Sequence, residues 1–411
     1  MQIELWPIER PIPYERNARK ISAEAIDKVA KSITAFGWRQ PLVVDADGVI
    51  IVGHARLLAA KKLGATQVPV HVAKDLTPEQ ARTYRLMDNR SHDETTWDYE
   101  LLTAELFDLK GLDFDLSLTG FDSDELAEFM IEKTSGLTDE DEIPEKPDVA
   151  VTQPGDLWVL GRHRLVCGDS TKESAVAGLL PNGERADMAF TDPPYNVDYE
   201  GYTEDKLTIQ GDRMTREQFK SFLVASFKSC MRGLKLGASL YVCHPSSWQR
   251  EFEDALEVAD FEVRCQIIWA KNTFAWGFGR YKFQHEPIFY CHRKDQSDPW
   301  YGDKSQSTLW QEKKPSASRL HPTMKPVELV ERAIANSSRP GDAVLDLFGG
   351  AGSTLIGCEK TGRSARLVEL DPIYCDVIIR RWENFAGKQA SLDGDGRSFQ
   401  EIAECRKPVA A

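Results

Sequence analysis

One stretch restricts the fold more than any other. Asp342-Ala-Val-Leu-Asp346 has the apolar centre of a buried strand. It runs into Leu347-Phe348-Gly349-Gly350-Ala351-Gly352-Ser353-Thr354 and then into an apolar helix, Leu355 to Lys360. Glycines at a strand-to-helix turn let the backbone approach a ligand closely, as in open, mostly parallel α/β sheets. About 20 residues past that turn a second strand, Ala365-Arg-Leu-Val-Glu369, ends in an acid, a placement that suits ribose hydroxyls. The phosphate-binding GxGxxG pattern is missing from the turn, which favours a cofactor without a pyrophosphate.

A second strand end carries different chemistry. The apolar run Ala186 to Phe190 leads into Thr191-Asp192-Pro193-Pro194-Tyr195. Two prolines remove backbone donors and fix φ, which leaves outward-pointing carbonyl acceptors. Asp192 adds an anionic acceptor, and Tyr195 a flat face on which a base can stack. Together they suit a pocket that grips the exocyclic amino group of a nucleobase. The chain contains no Pro-Cys dipeptide, so attack on a ring carbon by a cysteine nucleophile is not expected.

The net charge of -14 at first argues against a nucleic-acid partner, but it is unevenly distributed. Residues 1–110 carry 15 basic and 16 acidic side chains, residues 111–150 carry 2 and 13, and the remainder 34 and 36. The acidity therefore sits mostly in one segment, and local charge decides what the flanking domains bind. Residues 271–325 hold 10 basic and 5 acidic side chains with aromatics between them. Arg280, Lys282, Lys313 and Lys314 in this stretch are the expected phosphate contacts. His285-Glu286 reads as a structural pair at the start of the core strand Pro287-Ile-Phe-Tyr290. The loop Asn196 to Arg213 reads as a mobile lid over the base pocket. No cysteine pair has CxxC spacing, so a metal site is not expected. Apolar runs are too short for a membrane span, and the N-terminus lacks a basic start and an apolar core. A cytoplasmic protein is expected.

Four segments follow. Residues 1–110 read as a small α/β domain, with a hairpin around Asp47-Gly48, a helix opening at Gly53-His54-Ala55-Arg56 and a strand at Val68 to Val72. Residues 111–150 read as a short amphipathic helix near 123–133 followed by a solvated, extended linker. Residues 151–390 form the second domain, and residues 391–411 an exposed tail.

Two resemblances rest on these residues. Asn17-Ala-Arg19, Ser32-Ile33, Phe36-Gly37, Gln40-Pro41-Leu42-Val43-Val44 and Gly53-His54-Ala55-Arg56 resemble the N-terminal domain of ParB-type proteins. In that family the turn corresponding to Gly53–Arg56 handles nucleotide phosphates, often of CTP, and here it lacks the paired arginines of the partition proteins. The stretch Asp192-Pro-Pro-Tyr195, the turn Phe348-Gly-Gly-Ala-Gly352 and His321-Pro-Thr-Met-Lys-Pro326 together resemble the amino-group DNA methyltransferases. The catalytic segment precedes the cofactor turn, as in the β group, which is a circular permutation of one sheet. The resemblance implies a permuted, doubly wound, seven-stranded sheet and S-adenosylmethionine as methyl donor.

It also implies roles. Asp192 and the Pro193 carbonyl would accept the amine hydrogens, Pro194 would shape the loop, and Tyr195 would stack on the extruded base. Phe348, Gly350 and Gly352 would line the cofactor, and Glu369 would hold its ribose. Asp169 would lie near its adenine, and Lys325 in the segment that walls it. The implied reaction is methylation of adenine N6 at a specific sequence in double-stranded DNA, as in restriction–modification. Cytosine N4, or a non-catalytic ParB-like DNA-binding protein, are the alternatives. A homodimer is left open.

Overall fold

The computed structural model describes residues 2–93, 95, 97–129, 136–196, 213–275, 280–303, 305–312 and 324–406. The chain divides into two compact units, Met1–Met130 and Ile131–Ala411.

In the first unit, strands β1 (Glu4–Pro7), β2 (Leu42–Val44), β3 (Ile50–Val52) and β4 (Gln67–Val72) form a sheet of order β1-β4-β2-β3. The β2–β3 pair is antiparallel and β2–β4 parallel. Helices α1 (Ala23–Phe36), α2 (His54–Lys62), α3 (Pro78–Asp93), α4 (Tyr99–Gly111) and α5 (Ser123–Phe129) complete it. Trp6, Leu42, Val44, Ile50, Leu57 and Val70 close a small core. The turn into α2 needs glycine: Gly53 has φ +106°, and a Cβ there would lie 2.7 Å from Leu42.

The second unit holds β5 (Leu157–Leu160), β6 (His163–Cys167), α6 (Glu173–Leu179), β7 (Ala186–Thr191), α7 (Arg216–Gly233), β8 (Leu234–Cys243), α8 (Gln249–Val258), β9 (Phe261–Ala275) and β10 (Phe283–Arg293). It continues with β11 (Leu309–Trp310), α9 (Val327–Ser337), β12 (Ala343–Asp346), α10 (Ser353–Thr361), β13 (Ser364–Glu369), α11 (Pro372–Ala386), β14 (Ser391–Leu392) and α12 (Phe399–Arg406). The sheet order is β11-β9-β10-β8-β7-β12-β13-β6-β5-β14. Its centre, from β8 to β6, is parallel. Strand β10 runs antiparallel between β8 and β9.

Ten strands pair where seven are expected. The additions lie at the edges: two-residue β11 beside β9, and β5 with β14 beyond β6. Side chains alternate between two cores, as a period of two requires. Met188, Phe190, Val344, Ala365 and Leu367 face α9, α10 and α11, whereas Ala189, Leu345 and Val368 face α6, α7 and α8. The connections through α7 and α10 leave neighbouring strands β7 and β12 in opposite directions along the sheet. That switch point opens a crevice at the carboxyl ends of the parallel strands.

Two expectations are corrected. The tail is not exposed throughout. Phe399 is buried edge-on against Trp158 with ring centroids 5.3 Å apart, and Arg406 Nη1 donates to the Val151 carbonyl at 2.8 Å. An amphipathic helix buries its apolar stripe wherever one is available.

The acidic segment is likewise not a free tether from Leu137 on. Leu137 N–H donates to the Phe385 carbonyl at 2.8 Å. Glu140 pairs with Lys360, and its carbonyl accepts from Arg381 Nη2 at 2.6 Å. Asp141 Oδ1 accepts from Val327 N–H at 3.1 Å, capping α9. Lys146 donates to the Tyr374 hydroxyl at 2.5 Å. Glu140 is thus paired with a cation and Asp141 with a helix N-terminus of the second unit. A chain starting at Val151 leaves Arg381, 2% exposed, short of a partner and α9 uncapped. Compared with a chain starting at Gly136, it is expected to lose about 2–4 kcal/mol of stability, read as a lower melting temperature at constant buffer.

Candidate active site

The crevice at the switch point is a cavity of about 550 Å³, within the range of small-ligand sites. Four strand ends supply its walls. Asp192, Pro193, Pro194 and Tyr195 follow β7, Asp346 ends β12, and Phe348 and Gly350 follow it. Glu369 ends β13, and Asp169 follows β6. Apolar packing on both sheet faces forces these ends into register, so polar groups distant in sequence converge.

Asp192 is the most constrained of them. Its Oδ2 accepts from Lys325 Nζ at 2.6 Å, while its Oδ1 is buried with no hydrogen-bond partner among the described residues. Lys325, 5% exposed, also donates to the Tyr195 hydroxyl at 3.2 Å and lies 3.2 Å from Glu286 Oε2. All three ammonium hydrogens therefore have acceptors. The second Glu286 oxygen pairs with Lys271. Burial, opposed by Lys325 and reinforced by Glu286, holds the Asp192 carboxyl above the usual range. Burial also raises Glu286, but Lys325 and Lys271 outweigh it and bring that carboxyl down to about 2. Lys325 is held charged by its two carboxylates despite its own burial.

On the opposite wall, Glu369 Oε2 accepts from Gly350 N–H at 2.7 Å and Oε1 from Asp371 N–H at 2.9 Å. Asp346 accepts from Phe348 N–H at 3.1 Å and from Thr354 Oγ1 at 2.7 Å. Burial pushes both carboxyls up to about 7. Gly352 does not line the cavity. It caps α10 with φ +85°, and a Cβ would meet Ile378 at 3.3 Å. Ser353 Oγ donates to the Lys325 carbonyl at 2.7 Å and ties the two segments.

Asp169, Phe348, Gly350, Glu369 and Lys325 are thus brought to one cavity with Asp192 to Tyr195. Lys325 differs from expectation in its place: its ammonium lies on the Asp192 side. Glu286 was missed as a site residue, and so was Lys271. They lie on adjacent strands, and His285 and Glu286 do not act as a pair. His285 is exposed, whereas Glu286 faces the cavity, because neighbours on a strand point to opposite faces. The only local signal was an acid at the entry to an apolar strand. Asn196 was seen only as the first residue of the lid. Its Oδ1 accepts from Met214 N–H at 2.6 Å and its Nδ2 donates to the Met214 carbonyl at 3.0 Å. Arg280 and Lys282 lie on the surface just before β10. Lys313, Lys314, His321 to Thr323 and residues 197–212 of the expected lid lie outside the described residues.

In the first unit, Arg56 pairs with Gln40 and His54 Nε2 accepts from Tyr14 N–H at 3.2 Å. The positive charge gathers elsewhere, in a cleft of about 360 Å³ lined by Tyr14, Arg16, Arg19, Arg82, Arg85 and Arg90. Gly53 and Arg56 are not part of that cleft.

Three family profiles match the chain. A DNA methylase family profile of the N6/N4 type matches residues 186–380. Profiles for the ParB N-terminal domain and the ParB-methyltransferase HTH domain match residues 6–90 and 100–154. The chain is 28% identical over 235 residues to the type II methyltransferase M.HinfI of Haemophilus influenzae, covering 49% of this chain and 64% of that protein. It is 26% identical over 233 residues to the DNA adenine methyltransferase YhdJ of Escherichia coli, covering 48% and 76%. It is 41% identical over 80 residues to the ParB-like nuclease domain-containing protein YnaK of Escherichia coli, covering 20% and 92%. The alignment with M.HinfI thus spans less than two thirds of that relative.

Proposed function

The chain belongs to the N6/N4 DNA methylase family, with ParB-like and ParB-methyltransferase helix-turn-helix domains ahead of the methylase domain, and from that premise we propose that it transfers methyl from S-adenosylmethionine to adenine N6 in DNA. One observation carries the reading: Asp192 lines a cavity at a topological switch point, with a buried lysine held against its carboxylate.

The cavity fits the proposed donor. A sulfonium and an α-ammonium are cationic, and Asp192, Asp346, Glu369 and Asp169 make the lining acidic. Phe348 gives an apolar face, and Glu369 and Asp169 would meet hydroxyls and adenine. The bound donor supplies an activated methyl group. Asp192 and the Pro193 carbonyl would accept the two amine hydrogens, turning the nitrogen lone pair toward that methyl. As the nitrogen gains carbon it sheds one proton, which the Asp192 carboxylate would receive. Alignment and preorganised acceptors then supply most of the acceleration. Extruding the base costs a few kcal/mol, offset by stacking on Tyr195.

Adenine is favoured over cytosine by the acid at position 192 and by the similarity to a DNA adenine methyltransferase. Arg280 and Lys282 would meet DNA phosphates. The first unit would place the enzyme on DNA, and an anionic ligand there would occupy the arginine-lined cleft. The test is methyl transfer to unmethylated, mixed-sequence genomic DNA, followed by mass analysis of the released nucleosides. N6-methyladenine is the expected product. N4-methylcytosine instead, or no incorporation, overturns the reading.

A further inference from the structure

We propose that Glu286 is a positioning residue for Asp192, acting through Lys325: it holds the Lys325 ammonium at Asp192 Oδ2 and so fixes the carboxylate that meets the target amine. This rests on the reading of the cavity as a DNA methyltransferase site, and it names a part of that site lying outside the Asp192–Tyr195 segment.

The argument is geometric. Asp192, Lys325, Glu286 and Lys271 form a chain of alternating charge drawn from the end of β7, the segment before α9, β10 and β9. Alone, a lysine is a compact charge on a flexible four-carbon stem. Held by Asp192 and the neutral Tyr195 hydroxyl alone, the ammonium is free to swing and to turn the carboxylate with it. Here a second anchor prevents that. Glu286 Oε2 lies 3.2 Å from Lys325 Nζ and accepts from the Tyr195 hydroxyl at 3.4 Å. Glu286 is itself held by Lys271 through its other oxygen. The four charges sum to zero, which limits the cost of their burial. The same carboxylate thereby orients the phenol of Tyr195, whose ring is expected to stack on the base.

Titration provides a readout that a merely structural role would not move. The ionisable groups facing Asp192 are Lys325, Glu286, Tyr195, Asp346 and Cys243, with Lys271 behind Glu286. Lys325 favours the ionised form of Asp192 and Glu286 opposes it. The variants Glu286→Gln and Lys325→Met should therefore move the acid limb of kcat/KM in opposite directions. The Gln variant removes a neighbouring anion and shifts the limb to lower pH. The Met variant removes the cation and shifts it to higher pH.

The experiment uses the full chain, mixed-sequence unmethylated DNA and S-adenosylmethionine, with donor affinity measured separately by calorimetry. For Glu286→Gln we expect kcat to fall about 10–100-fold, as displaced catalytic groups do, with donor affinity unchanged and the acid limb lowered. Lys271→Met, which loosens the outer anchor and leaves Glu286 in place, should show a smaller loss of kcat, again at unchanged donor affinity. It carries the test if the Gln variant does not fold. Wild-type kcat in Glu286→Gln, an unmoved acid limb, or parallel loss of donor affinity and kcat overturns the proposal. An inactive wild-type protein overturns the methyltransferase reading itself, a result distinct from an active wild type indifferent to Glu286.

Discussion

Replacement of Asp192 by Ala is expected to lower kcat for methyl transfer by at least about 10²–10³-fold, the scale of losing a preorganised acceptor at a reacting centre. The loss has two parts. The amine loses its anionic acceptor at the end of β7. Lys325 loses its 2.6 Å partner, so a buried cation with Glu286 as its remaining carboxylate faces the position where positive charge develops on nitrogen. Asp192→Asn should fall almost as far. Its amide presents one acceptor, and Lys325 claims it, which turns the NH₂ group toward an amine that can only donate. Single-turnover rates on DNA measure the loss, and calorimetry should show donor binding retained. Activity surviving either substitution would remove Asp192 from the reaction.

The largest expected effect on stability lies away from the cavity. Glu359 on α10 is 2% exposed and meets His163 Nε2 at 2.5 Å, Trp382 Nε1 at 3.2 Å and Arg162 Nη2 at 3.3 Å. His163 Nδ1 accepts from Ala365 N–H at 2.9 Å, so the imidazole is neutral and its Nε2–H donates to Glu359. The network joins β6, α10, β13 and α11 from inside. Glu359→Ala strands a buried histidine and an indole N–H, while Arg162 keeps the main-chain carbonyl at position 359, and should cost the second unit about 3–5 kcal/mol.

The pH dependence has a definite sign. Burial lowers His163 to about 4, against the support of Glu359. A depressed base is neutral in the folded chain, so its contribution is complete above its unfolded value near 6.5 and is lost as pH falls toward 4. That loss amounts to about 3 kcal/mol at the usual 1.36 kcal/mol per unit. Glu359, brought to about 2 by His163 and Arg162 in spite of burial, adds a loss only below its ordinary range. Urea unfolding at pH 7 and pH 5 checks both points. Glu359→Ala should be weaker at each pH, and His163→Gln should flatten the difference between them.

Much of the cavity was legible because its parts are local. Gly349 to Gly352 must turn tightly between a strand and a helix, and Asp192 and Glu369 end apolar runs, so each stretch announces its place at a strand end. Glu286 and Lys271 announce nothing of the kind. They reach Asp192 only because β10 inserts antiparallel between β8 and β9, a pairing of residues far apart in the chain. The segment from Leu137 to Val151 misled for the opposite reason. Its acids and prolines have the composition of a solvated linker, yet Lys360, Arg381 and Lys146 neutralise or anchor it on the second unit. The tail misled in the same way, since Phe399 is apolar in a polar stretch and its partner Trp158 is some 240 residues away along the chain.

By itself, the sequence determined the α/β class, the permuted order of the two strand-end motifs and the family to which they belong, because backbone turns and strand ends depend on neighbouring residues. Only the tertiary structure decided that Lys325 belongs beside Asp192, that Glu286 and Lys271 stand behind it, and that the acidic segment is a strap. Those outcomes depend on which buried charges find partners when strands distant in sequence pack together, and no local pattern encodes that.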